Sequence, residues 1–383
     1  MVDSSRIRSH FIDQLLIQKS AKQLIIYYFP IFATLIALLT LNFKNTKVFF
    51  AYCIFIFMII FVGLRYFSDV DYEPYYELFD TTPSLFNLNL HELSVLYGEP
   101  GYLLVSALFK SFGLGFVSVA LFSVILAVYL KLKILSAITG QYILAFTLYL
   151  AIHFVTIEFI QLRWAVASGF IVAALYNILK GNKKFALIML ILATSFHYFS
   201  LIFLPMFIFR KLSARTVNAI FITSFLAAMF YKFVGFSFIY IADTNIYIIK
   251  RFLRYLNDPE SSVGIFSFSR LILYYVTFVL IRKFVRRDAD EQYYDLEKMS
   301  LLLLSISLFL SFIPLMYFRA VNIADLFCIA TILYQFEKNK NGYTLLYLVV
   351  LVVLFCTWNI LDVQNNYNAG YIFEYKNWLE TIF

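Results

Sequence analysis

Residues 342–360 read GYTLLYLVVLVVLFCTWNI, nineteen positions without a single charge. As a helix such a run rises roughly 28 Å, close to the hydrocarbon thickness of a bilayer. No water-facing stripe interrupts it, so it reads as a membrane span rather than as one face of a soluble core. The rest of the chain repeats this pattern. Of its 383 residues 62% are hydrophobic and 14% are charged, and mean hydropathy is +0.81. Soluble domains carry about 25% charged residues. A soluble fold of this size has too little interior to hide the surplus. The expectation is an all-α polytopic membrane protein with about ten transmembrane helices, at 24–41, 47–64, 115–131, 141–157, 162–180, 216–234, 266–283, 299–317, 320–336 and 342–360, forming one integral domain over 1–383. Short or re-entrant helices complete it.

Two stretches do not fit a simple span. Residues 101–113 are apolar but short, and Lys110 interrupts them. Residues 185–209 are broken at Thr194-Ser195-Phe196-His197 and carry Pro205. Basic residues set the orientation. Arg282, Lys283, Arg286, Arg287 and Lys298 place 282–298 in the cytoplasm; Arg210, Lys211 and Arg215, Lys180, Lys183 and Lys184, Lys131 and Lys133, and Lys44 and Lys47 do the same for their segments. Both ends of 185–209 then share one side, which predicts a re-entrant hairpin with its bend near His197. The loops 66–100 and 235–265 fall outside, as does the tail from Leu361. This scheme also puts the basic stretch 1–23 outside. That stretch is either an amphipathic segment along the membrane or the sign of one miscounted early span. It does not read as a cleaved signal peptide.

The net charge of +8 reads as cytoplasmic-loop bias, not as a nucleic-acid surface. Cys53, Cys328 and Cys356 lie in apolar segments without metal spacing and read as buried thiols. No nucleotide-binding loop, HExxH pattern or GxSxG elbow occurs, and no cofactor is expected.

The chemistry gathers at the expected outer edge. Loop 66–100 holds Asp69, Asp71, Glu73, Glu77, Asp80, Glu92 and Glu99, with no lysine or arginine. A solvated acidic loop is the plain reading. Arg65 at its edge brings a cation beside Asp69 and Asp71, where a carboxylate can take a hydroxyl proton. Asp69-Val70-Asp71 also has the form of a DxD metal motif, but two carboxylates alone make a weak divalent site, and no metal is expected. Glu158 and Arg163 bracket the start of the fifth span. There the free N–H groups of a first helical turn and a guanidinium suit a phosphate or pyrophosphate. An interfacial anchor beside Trp164 is the competing reading. His197, at the break in an apolar stretch, either faces a cavity or packs as a satisfied core histidine. Arg254, beside Lys250 and Arg251, and Arg319 both face outward, where a phosphorylated substrate gives an arginine a purpose.

Several short motifs occur in order. Gly63-Leu64-Arg65-Tyr66 is followed by Asp71 and Tyr75, then by Glu99-Pro100-Gly101-Tyr102 and Lys110-Ser111-Phe112-Gly113. Arg163 opens a small-residue helix, and Lys183-Lys184-Phe185 leads to Ser195-Phe196-His197-Tyr198-Phe199-Ser200. Across roughly 47–210 this order resembles the EpsG family, within the Wzy-type polysaccharide polymerases. Asp69 stands where that family usually has glycine, and Trp164 where it usually has glutamine. The resemblance implies a GT-C-like membrane glycosyltransferase that joins polyprenyl-pyrophosphate-linked oligosaccharides on the outer face of the bacterial inner membrane. It implies Arg65, Asp71, Arg163 and His197 as catalytic residues and Tyr75 and Glu99 as substrate-binding ones, to which the charge pattern above adds Asp69, Glu158, Arg254 and Arg319 as substrate-binding. Its partners are the lipid-linked oligosaccharide and the bilayer, with a chain-length regulator left open. Two other classes compete. A lipid-linked oligosaccharide flippase is disfavoured by the absence of a repeat and by charges that gather at span edges. A glycan acyltransferase leaves the acidic loop and Arg163 without a role.

Overall fold

A computed structural model describes residues 24–39, 44–87, 98–234, 265–284, 290–339 and 342–381. Its α-helices are α1 (Phe29–Leu39), α2 (Lys44–Met58), α3 (Tyr72–Thr81), α4 (Pro100–Ser111), α5 (Phe116–Ile138), α6 (Tyr142–His153), α7 (Leu162–Leu179), α8 (Lys183–Phe196), α9 (Ala214–Val234), α10 (Ser269–Phe284), α11 (Glu291–Phe309), α12 (Pro314–Lys338) and α13 (Gly342–Asn368). Two isolated bridges are the only strand-like pairing among the described residues.

Among the described residues, seven helices are long and apolar enough to cross a membrane: 46–63, 116–138, 142–159, 162–179, 214–233, 314–338 and 346–368. The other expected spans differ for physical reasons. Of the first, the described residues form the apolar stretch Ile25–Leu39. Over 266–283 the chain is helical throughout, but as a 3-10 turn, Ile265–Phe268, followed by the 16 residues of α10. Helix α11 opens with Glu291, Asp295, Glu297 and Lys298, too many charges for a lipid-facing span. Two boundaries also move. The span expected to end at 131 runs on to Ile138. The break expected at Arg319 lies at Leu310–Phe312, a single 3-10 turn, and Pro314 then starts α12 where a missing N–H costs nothing. Arg319 therefore sits inside a helix. The expected outer loop 235–265, apart from Ile265, and the stretch 1–23 lie outside the described residues.

Helices α6, α7 and α12 form the interior: 89%, 78% and 83% of their spans are buried, against 17% for α9. Helices α5 and α7 approach closely at Gly169, where an added Cβ would stand 3.3 Å from the Ala127 carbonyl.

The stretch 185–209 is a hairpin. Helix α8 ends at His197, which is extended (φ −158°, ψ 116°), and a 3-10 helix, Tyr198–Lys211, returns along it. Its two ends meet: Arg210 Nη2 donates to the Leu179 carbonyl at 2.8 Å. The bend docks on α4, where a Cβ on Gly101 would fall 2.8 Å from the Ser195 carbonyl oxygen. Helix α4 in turn holds α3. Lys110 Nζ donates to the Asp80 and Thr82 carbonyls at 2.6 and 3.0 Å, closing the end of α3 with a cation. Tyr102 Oη donates to the Tyr75 carbonyl at 3.1 Å.

Because the obstacle at Gly101 is backbone, Gly101→Ala is expected to lower stability by about 1–3 kcal/mol. Thermal unfolding of the detergent-purified protein checks this, with Gly115→Ala as the contrast, since open space surrounds Gly115 and its φ of −82° suits any residue.

Candidate functional site

The first half of the site is built from residues 59–75. Helix α2 widens into a π turn, Ile59–Gly63, which ends two residues before Arg65. Such turns re-aim the residues that follow and are frequent at functional sites. Phe67 then takes φ 43°, a left-handed conformation rare for a bulky residue. That turn folds Asp69 back, so Arg65 Nε donates to its Oδ2 at 2.6 Å with both side chains fully enclosed. Arg65 Nη1 donates to the Val62 carbonyl at 2.9 Å, and the guanidinium lies 5.3 Å from the Phe159 ring centre. The tail locks the segment from outside. Tyr66 N donates to Lys376 O at 3.0 Å, Phe373 N to Ser68 O at 2.9 Å and Trp378 N to Leu64 O at 2.7 Å.

The DxD reading changes here. Asp69 Oδ1 accepts the Asp71 N–H at 3.0 Å and its Oδ2 is held by Arg65, so both oxygens are engaged within the turn. Among the described residues no group of three metal-ligating side chains gathers.

Asp71 precedes α3, and its side chain makes no capping bond to it. Its carboxyl is pushed up from the ordinary carboxylate range, first by burial and then by the charge of Asp69, against the pull of Arg163, Arg65 and Arg319. Asp71 thus feels the charge of arginines from three separate elements.

The second half comes from α7 and its neighbours. Helix α6 also ends in a π turn, Phe154–Phe159, and Gln161 leads into α7 without capping it by its side chain. Arg163 Nη1 pairs with Glu99 Oε2. Its guanidinium lies 5.1 Å from the Tyr75 ring centre and 5.9 Å from that of Tyr102. Burial pushes the Tyr75 hydroxyl up to about 12, so it stays protonated. Arg319 lies 5.9 Å from the Trp164 ring centre, and that ring stands 5.3 Å from the His197 imidazole. His197 Nδ1 accepts the Phe199 N–H at 3.2 Å, which leaves the proton of a neutral ring on Nε2.

The structure therefore brings together Arg65, Asp69, Asp71, Tyr75, Glu99, Arg163, His197 and Arg319. Arg254 lies outside the described residues. Glu158 is drawn elsewhere: its Oε1 pairs with Lys131 and accepts the Tyr149 hydroxyl at 2.7 Å. The loop acids divide as well. Asp69 and Glu99 answer arginines, while Glu73, Glu77 and Asp80 are exposed on α3.

Sequence reading missed a second polar group within the bundle. Asp325 Oδ2 lies 2.6 Å from His153 Nε2 and 2.9 Å from Arg270 Nη2. Lys131, read above as a cytoplasmic marker, is fully buried. Charge is therefore not confined to span edges, which removes that argument against a transporter. The available signal was an ionisable residue within an apolar run, which membrane helices rarely carry without a partner.

Asp69→Ala would leave the Arg65 guanidinium buried without its counter-charge. The expected cost is about 3–5 kcal/mol, read as a drop in thermal midpoint, with Glu73→Ala unchanged as the exposed control.

No curated protein and no solved structure matches the chain. A family model described as the EpsG family matches residues 48–377, which takes in both halves of the site and the tail that locks it. The chain belongs to the EpsG family, membrane proteins of the Wzy-type polysaccharide polymerase and glycosyltransferase kind.

Proposed function

We propose that the protein polymerises polyprenyl-pyrophosphate-linked oligosaccharide repeats at the outer face of the bacterial inner membrane. The observation that carries this reading is the placing of three arginines beside the ends of membrane helices, Arg65 paired with Asp69, Arg163 with Glu99 and Arg319 against Trp164. Three donors there make no hydrogen bond among the described residues: Arg65 Nη2, Arg163 Nε and Trp164 Nε1. Buried donors of this kind call for acceptor oxygens, and a pyrophosphate offers several. The cluster is formally balanced, with Asp69, Asp71 and Glu99 against the three arginines. Guanidinium edges, rather than an excess of charge, would meet the ligand.

In this reading the acceptor hydroxyl attacks the anomeric carbon of the donor. The bond from that carbon to the pyrophosphate oxygen breaks, and its electron pair leaves with the pyrophosphate. Asp71 takes the hydroxyl proton. Arg163 and Arg319 stabilise the charge gathering on the leaving group. His197, with Nδ1 occupied, serves as an Nε2–H donor to an oxygen rather than as the base. The leaving group is activated before it arrives, so the step needs no nucleotide.

Arg163→Ala is expected to lower the polymerisation rate about 10²–10³-fold at normal membrane abundance. Chain length on a gel of surface glycan reads the result. In a deletion strain, collapse of long polymer to a single capped repeat supports the polymerase. Loss of all surface glycan with lipid-linked repeats accumulating inside would replace it with the flippase.

Asp71 also gives a pH dependence. The base form is the ionised carboxylate, so activity falls as pH drops through its folded pKa. That value is raised, so the acid limb of the rate profile should lie above the ordinary aspartate value of about 3.9. Asp71→Asn should abolish the limb along with most of the rate.

A further inference from the structure

Arg163 and Arg319 belong to different helices, so their separation depends on what fixes α7 against α12. A buried chain of hydrogen bonds runs between the two. Lys131, on α5, is fully enclosed. Its ammonium pairs with Glu158 Oε1 and also donates to the Ala165 carbonyl at 3.3 Å. These two acceptors lie on either side of Arg163 in the chain, one in the π turn and one in the first turn of α7. Lys131 thus straps the junction at which π geometry gives way to α. Glu158 continues the chain by accepting the Tyr149 hydroxyl at 2.7 Å, and that oxygen accepts from Asn322 Nδ2 at 2.8 Å. Asn322 stands three residues after Arg319 on α12, one turn along the helix.

Helix packing alone does not call for this ion pair. Helices α5 and α7 already touch at Gly169. A buried ion pair is often no more stabilising than apolar residues of similar size. What it adds is direction, because hydrogen bonds fix angles and distances that apolar contact leaves loose.

We propose that Lys131 is a positioning residue that, through Glu158, Tyr149 and Asn322, sets Arg163 and Arg319 at the spacing required by a departing pyrophosphate. The proposal rests on the polymerase reading of the site. None of the four touches the reacting atoms. Their effect reaches the substrate through the two arginines, whose misplacement by about 1 Å is enough to cost on the order of 10²-fold in rate.

The test uses the full-length protein in vesicles, with the host's own lipid-linked repeat as substrate, and measures rate against its concentration. Lys131→Met/Glu158→Met removes both charges together, so neither is left buried alone. The expected result is wild-type abundance and thermal midpoint, kcat lowered about 10- to 100-fold and KM within about two-fold. A wild-type kcat would overturn the proposal and leave the pair a packing element. Should the double variant fail to accumulate, Tyr149→Phe decides the matter. It removes one hydroxyl, keeps the ion pair and cuts the chain between Glu158 and Asn322. A lowered kcat at unchanged KM supports positioning, and a wild-type kcat overturns it. Arg163→Ala is assayed alongside. If it keeps full rate, the site reading fails and the proposal falls with it. If it is inactive while both test variants run at wild-type rate, only the positioning role is lost.

Discussion

A guanidinium withdrawn from water at the end of a membrane helix has to be answered from within the protein, because lipid offers it nothing. Arg65 is answered four residues later by Asp69, and much of the local architecture serves that contact. The π turn before Arg65 sets its direction. The left-handed Phe67 turns the chain back, at a conformational cost of roughly 1–3 kcal/mol. The tail from Tyr371 to Trp378 supplies the backbone partners that a loop in this conformation would otherwise lack. With Asp69 committed to Arg65, Asp71 is the carboxylate left to face α7 and α12. Its place in the site follows from the buried pair beside it.

The family motifs were legible because their spacing sets local geometry. Arg65 and Asp69 stand four apart and meet across one tight turn. Glu99-Pro100-Gly101 places an acid, a helix-starting proline and a residue small enough for the hairpin tip to lie against. The hairpin itself was legible from charge, since Lys180, Lys183, Lys184, Arg210 and Lys211 mark both its ends, and Arg210 does meet Leu179. Other features were hidden. A hydropathy window averages over its residues, so it divided 299–336 at Arg319 although the chain turns at Leu310–Phe312. Averaging also says nothing of pairing. Glu158 looked like a surface acid because its partner, Lys131, lies 27 residues away on another helix. Asp325 passed unnoticed inside an apolar run, although it binds both His153 and Arg270.

Helix α12 unites these levels. Arg319, Asn322 and Asp325 recur every three residues along it, and each is answered by a different part of the bundle. Arg319 lies against Trp164, Asn322 reaches Tyr149, and Asp325 reaches His153 and Arg270. Arg270 is covered in turn by Trp358, with 4.6 Å between guanidinium and ring centre. Apolar packing tolerates sliding of one helix past another. Directional contacts at three heights on a single helix do not, so rotation and translation of α12 are both fixed.

The hairpin has a mechanical consequence. Its root, where Arg210 binds Leu179, is at the far end of α7 from Arg163, and its tip carries His197 into the site. The 14 residues of α8 make a lever arm of roughly 21 Å. A tilt of about 5° at the root swings the tip by about 2 Å, enough to bring an imidazole into or out of hydrogen-bonding range. Because the tip rests against Gly101, such a swing would have to carry α4 with it.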